Sequence, residues 1–135
     1  MIGRLHHAIL DCPDPAALAR FYSALLGLPV TYESDDFVVV SRDSATSGLA
    51  FQLVPEHKPP RWPDPEYPQQ IHFDVMVDDV AAAEPRVLAL GATPLAVDGP
   101  GHRTFADPAG HPFCLIPRPG WAPPVASTPS AEEAG

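Results

Sequence analysis

The sequence predicts an α+β fold built from two tandem βαβββ modules. Three observations carry that expectation. The order strand, acidic turn, helix, glycine and three short strands occurs twice, with an offset of about 65 residues, and a fixed period is the mark of a repeat architecture. In both copies a histidine precedes an aspartate by seven residues, His7 before Asp14 and His72 before Asp79. Between the copies runs "HKPPRWPDPEYPQQ", with five prolines between residues 57 and 70. Proline breaks helices and is excluded from central strands, so this stretch reads as a connector. The expected organisation is a first module over 1–56, a Pro-rich connector over 57–70, a second module over 71–117 and an irregular tail over 118–135.

The elements follow in order. "LHHAIL" alternates as a strand. In "DPAALARFYSALLG", Asp14 can cap a helix and Pro15 suits its first position. Leu18, Phe21, Tyr22, Leu25 and Leu26 form an apolar stripe, and Gly27 is a natural left-handed stop. "VTYES", "FVVVS" and "LAFQLV" read as three strands. The second copy opens with "QIHFDVMV", and its helix has Asp79 as cap, Val80, Val87, Leu88 and Leu90 as apolar residues and Gly91 as stop. Pro85 should kink that helix or delay its start. "TPLAV", "RTFAD" and "PFCLI" complete the copy, and five more prolines mark the segment from residue 117 onward, with Trp121 placed to lay it over the surface. Each module alone leaves an apolar sheet face that needs a partner.

Composition narrows the function classes. Hydrophobic residues make up 45% of the 135 residues, enough for a packed core. Net charge is −9, which disfavours nucleic acid and anionic membrane as partners. No apolar run approaches the roughly 18–20 residues of a membrane span, and "MIGRLHHAIL" lacks a long apolar h-region. A cytoplasmic protein with reduced Cys12 and Cys114 is the expectation.

Strand alternation sorts the candidate residues. In "QIHFDVMV", Ile71, Phe73, Val75 and Val77 form an ordinary core face, whereas His72, Asp74 and Met76 share the other. An imidazole, a carboxylate and a thioether suit a cavity better than a core. His7 shares a face with Ile9, Gln52 with Ala50 and Val54, and Cys114 with Pro112 and Ile116. His, Cys and carboxylate side chains all bind metals, but no CxxC or HExxH spacing is present.

The paired modules, opening "HHAILDCPDPAALARFYSALLGL" and "IHFDVMVDDVAAAEPRVLALGA" and closing on "TFADPAGHPFCLI", resemble the vicinal oxygen chelate superfamily over roughly residues 4–117. That superfamily includes glyoxalase I, bleomycin- and fosfomycin-resistance proteins and extradiol dioxygenases. The pattern is most similar to actinobacterial glyoxalase-like proteins. The resemblance implies a curved mixed sheet forming a cup, with two metal ligands from each module. His7, Gln52 and His72 match three ligand positions; the fourth, a Glu in the family's closing "DPxGxxxEL" segment, is Cys114 here. The matched set thus lacks a carboxylate, and a thiolate would favour zinc over an iron oxygenase.

Three functions follow as expectations. The first is a cup with a degenerate metal site and no cofactor, binding a small, partly hydrophobic organic molecule for sequestration or resistance. Its walls would be Ile9, Val54, Met76 and Ile116, with Trp62 and Tyr67 as a lid or as packing, and His102 and Arg103 as an anion contact or a solvated loop. The second is a zinc or nickel enzyme using His7, Gln52, His72 and Cys114, of lyase or isomerase type rather than a dioxygenase. The third is a metal-free acid–base enzyme using His7, His72 and Asp74, where Asp74 is either a catalytic partner or a sheet-rim hydrogen-bonding group. Whether the chain is an enzyme stays open between these, and a homodimer is expected from the resemblance.

Overall fold

A computed structural model describes residues 1–95 and 101–125. The end of the "TPLAV" strand, the start of the "DGPGH" loop and the tail beyond residue 125 lie outside the described residues. The chain divides into two units, Met1–His57 and a second beginning at Lys58, so the connector groups with the second module.

The first unit runs β1 (His7–Cys12), α1 (Pro15–Leu26), β2 (Val30–Glu33), β3 (Phe37–Val40) and β4 (Gly48–Leu53). Its sheet has the order β1-β4-β3-β2, with β1 parallel to β4 and the other pairs antiparallel. Helix α1 forms as its sequence dictates. Asp14 accepts from Ala17 N at 3.1 Å, Pro15 opens the helix, and Gly27 closes it at φ 67°, where a Cβ would be strained. Leu18, Phe21 and Tyr22 are buried, while Leu25 is half-buried and Leu26 lies at the edge of the stripe. Tyr22 stacks on Phe51 at 5.4 Å, which identifies the helix-covered face of the sheet as Leu10, Cys12, Val38, Val40 and Phe51. Burying each such large side chain contributes roughly 1.5–3 kcal/mol.

Two local features set the opposite, open face. Gly48 sits where a Cβ would lie 2.1 Å from the Val40 carbonyl oxygen, so only glycine lets β4 start beside β3. In β2 the register shifts between Val30 and Tyr32. Val30 pairs with Val40 on the helix side, but Tyr32 pairs with Val39, so the extra residue turns Tyr32 onto the open face.

The second unit repeats the plan: β5 (Phe73–Val77), α2 (Val80–Ala89), β6 (Thr93–Pro94), β7 (Arg103–Ala106) and β8 (Pro112–Pro117). Its sheet order is β5-β8-β7-β6, with β5 parallel to β8. Phe105 and Phe113 stack at 5.7 Å, and Val75, Leu115 and Val87 are buried with them. Asp79 caps α2 by accepting from Ala82 N at 3.1 Å. The helix starts at Val80 despite Pro85, which lies inside it. The expected delay does not occur, because Pro85 and Ala81 are both exposed and water can serve the Ala81 carbonyl that loses its donor.

The described part of the tail is also held differently from the expectation. Trp121 is 87% exposed, not packed onto the surface. Instead Arg118 Nη1 donates to the Ala122 carbonyl at 2.7 Å, Ala122 is buried, and Val125 N donates to Asp78 at 3.0 Å. No helix among the described residues is long and apolar enough to cross a membrane.

Candidate functional site

On the open face of the first sheet, the ladder pairs His7 with Gly48, Ile9 with Ala50, and Asp11 with Gln52. Partners in a ladder share a face, so His7, Ile9 and Gln52 all lie on the open side, joined by Phe37 and Val39 from β3. The register also separates His7 and Gln52 by four residues, about 13 Å along the strands at the usual rise. Zinc ligands bond at about 2.0–2.3 Å, which holds neighbouring donors within roughly 4 Å of each other.

His7 carries a second constraint. The Gly48 backbone N–H donates to His7 Nδ1 at 3.3 Å. A nitrogen that accepts a hydrogen bond from an amide carries no proton itself, so in the neutral ring the proton sits on Nε2. In that tautomer neither nitrogen offers a metal a lone pair. Partial burial, and then the His6 ring whose centroid lies 3.8 Å away, hold the His7 pKa below the ordinary histidine value.

A cavity of about 500 Å³ opens on this face. His6 and His7, Tyr32 and Phe37, and Ser34 and Asp36 contribute to its lining, with Val39 as its floor. Tyr32 and Phe37 meet edge-on, centroids 6.3 Å apart. Of the residues singled out from the sequence, His7 lines this cavity; Ile9 stands on the same face, half exposed; Val54 follows β4, its N–H donating to the Cys12 carbonyl at 2.8 Å. Tyr32, Phe37 and Asp36 had no sequence signal, because the face of Tyr32 depends on the β2 bulge.

The second unit gathers a different set. Asp74 pairs with Cys114 in the β5–β8 ladder, and Thr104 of β7 pairs with Cys114 from the other side. His72 precedes β5 on the same face, with Nε2 3.8 Å from Asp74 Oδ1. One donor atom from each of His72, Asp74 and Cys114 lies within 4.8 Å of the other two, a group that could hold a metal ion. His72 and Asp74 are exposed and Cys114 is half-buried, its Sγ 3.4 Å from the buried Thr104 hydroxyl. Imidazole nitrogen, carboxylate oxygen and thiolate sulfur all suit zinc, and three ligands leave a fourth position for water or substrate. This group contains a carboxylate, Asp74, where the matched positions have none. Met76 and Ile116 pair on this same face and are half-buried.

Other candidates sit apart from this triad in the second unit. His102 and Arg103 line a cavity of about 270 Å³ with Val80 and Glu84, and Arg103 Nε is 3.8 Å from Glu84. Trp62 is half-buried in the connector, and the Arg61 guanidinium lies 4.5 Å over the exposed Tyr67 ring. A buried pair escaped sequence reasoning. Asp107, its side chain fully buried, accepts from His111 Nδ1 at 2.9 Å and from the backbone N–H groups of Ala109 and His111. It locks the turn that delivers β8, and with it Cys114.

The glyoxalase-like domain family matches residues 7–116 of the chain. Among solved structures, a glyoxalase-related enzyme from Fulvimarina pelagi is similar, with TM-score 0.67 and 20% identity over 94% of this chain and 96% of that one. The fosfomycin resistance protein FosX from Listeria monocytogenes gives TM-score 0.65 and 16% identity over 89% and 97%. The oxidase ChaP-H2 gives 0.60 and 24% over 90% and 98%. At these identities the likeness carries the fold. No curated protein matches the sequence.

Proposed function

The chain belongs to the glyoxalase-like domain family, with the vicinal oxygen chelate fold, and from that premise we propose that it binds a small, partly hydrophobic organic molecule. The observation that supports this most directly is the cavity of about 500 Å³ on the open face of the first sheet. Its volume falls in the range of small-molecule sites, roughly 300–1,000 Å³. Its walls combine aromatic rings with a few polar groups, the usual division between burial and orientation. Sequestration requires no more than this, since no reacting group has to be placed. The test is a fragment screen by protein-observed NMR. Ligands of this kind should shift the resonances of His7, Tyr32 and Phe37 together. Hits confined to other surfaces would refute the reading.

A second reading is favoured by the His72, Asp74 and Cys114 group. A divalent ion held there, zinc ahead of nickel, would supply a Lewis acid for lyase or isomerase chemistry. A metal-free variant would use the same His72–Asp74 pair for proton transfer, at 3.8 Å in this structure. A cytoplasmic homodimer is proposed from family resemblance.

A further inference from the structure

We infer that the cavity of the first sheet takes a planar, uncharged aromatic molecule, oriented by a carbonyl oxygen on the His7 ring. This rests on the organic-ligand reading and specifies its ligand class. The argument is an inventory of the hydrogen-bonding capacity left in the lining. Ser41 Oγ donates to the Asp43 carbonyl at 2.7 Å, so the 2.7 Å contact with Thr31 must use the Thr31 proton. Ser34 Oγ spends its one proton on Asp36 at 2.9 Å and the Phe37 carbonyl at 3.2 Å. These three hydroxyls can only accept, whereas His6, His7, the Tyr32 hydroxyl and Ser44 keep donors in the lining. Of these, His7 has its ring held by a backbone hydrogen bond. With Nδ1 fixed as an acceptor by Gly48, the neutral ring presents Nε2–H, and no hydrogen bond among the described residues occupies that group. His7 is therefore a donor built into the wall, and its natural counterpart is a ligand oxygen.

The charge of that oxygen follows from Asp36. A carboxylate in the lining repels a second one, and among the described residues no arginine or lysine lines the cavity to offset it. The depressed His7 pKa supports the same conclusion, since a neutral imidazole adds no cation. A neutral carbonyl satisfies the donor without that repulsion. The aromatic requirement comes from shape. Tyr32 and Phe37 meet at 62°, so a flat ring can lie on one and meet the edge of the other. A volume of about 500 Å³ accommodates two fused rings.

The experiment titrates the intact protein with 2-acetylnaphthalene, 2-naphthoate, 2-ethylnaphthalene and cyclohexyl methyl ketone, following the His7, Tyr32 and Phe37 resonances. The aromatic ketone should bind best. The carboxylate should bind at least about tenfold more weakly, and the hydrocarbon about five- to tenfold, as expected for one neutral hydrogen bond. His7→Phe should remove the advantage of the ketone over the hydrocarbon, whereas His7→Gln, which keeps an N–H donor, should retain part of it. Naphthoate binding as tightly as the ketone, or an unchanged ketone preference in His7→Phe, overturns the inference. A saturated ketone that binds equally well overturns the aromatic class while organic-ligand binding stands. If no probe shifts these resonances, the inference and the reading beneath it fall together.

Discussion

Replacing Cys114 with Ser tests the metal reading most sharply. Among the described residues, His72, Asp74 and Cys114 place their donor atoms within 4.8 Å of one another. A tetrahedral zinc ion with bonds of about 2.0–2.3 Å needs donors roughly 3.3–3.7 Å apart. The widest pair therefore closes by about 1 Å. His72 and Asp74 can make that movement, since their side chains are 45% and 56% exposed. Ordering each costs about 0.5–1.5 kcal/mol, so a weak site is expected, far from a structural zinc finger. Within it the sulfur is the softest donor, and Cys114→Ser should weaken zinc at least about a hundredfold, or about 2.7 kcal/mol. His72→Ala should cost less, and Asp74→Asn least.

The assay is competition against a chromogenic zinc chelator, paired with cobalt substitution. Thiolate ligation should give a sulfur-to-cobalt charge-transfer band that Cys114→Ser abolishes. Affinity should rise with pH, because the thiol proton must leave before the metal binds. Zinc affinity unchanged in Cys114→Ser would refute the reasoning, as would a cobalt spectrum without that band.

Two further predictions concern the elements that hold the sites. His7 should titrate below a reference histidine when its ring Cε1–H resonance is followed against pH, and His6→Ala should move it part of the way back. The sign for stability follows: as pH falls, the unfolded chain takes up this proton first, so folding stability drops from just below the ordinary histidine value and levels off below the folded one. A His7 midpoint at or above the reference value would contradict the lowering by burial and by the neighbouring His6. Asp107→Ala should destabilise the protein by about 3–5 kcal/mol in urea denaturation, because three donors lose a buried acceptor, and Asp107→Asn should recover part of the loss. A loss under about 1 kcal/mol would mean that the turn does not depend on this carboxylate.

The fold was legible because its signals are local. Asp14 and Asp79 cap their helices through contacts three residues away, and the stripe through Leu18 and Tyr22 needs only the helical period. Alternation likewise placed His72, Asp74 and Cys114 on predictable strand faces. What sequence could not supply was register. Nothing in "VTYE" announces the bulge that turns Tyr32 to the open side, and nothing in "GLAFQL" says that Gly48, rather than Gln52, lies beside His7. The Asp107–His111 pair was hidden for a related reason: in a turn, four residues of separation specify no contact until the backbone conformation is known.

Register also changes what the thiol at position 114 means. Judged position by position, a cysteine where a glutamate is expected removes the only carboxylate and leaves a site suited to no hard ion. The parallel β5–β8 ladder sets Asp74 directly beside Cys114, so a carboxylate stands one strand away from the expected position. His72 and Asp74 on one strand edge and Cys114 on the next make a compact set within a single unit. His7, by contrast, has Nδ1 occupied by the Gly48 amide and faces a cavity with aromatic walls. The two modules repeat the same topology, yet the first sets His7 and two aromatic rings around a cavity and the second groups His72, Asp74 and Cys114, which could hold a metal ion. The repeat explains how the chain folds; the difference between its copies is where the chemistry lies.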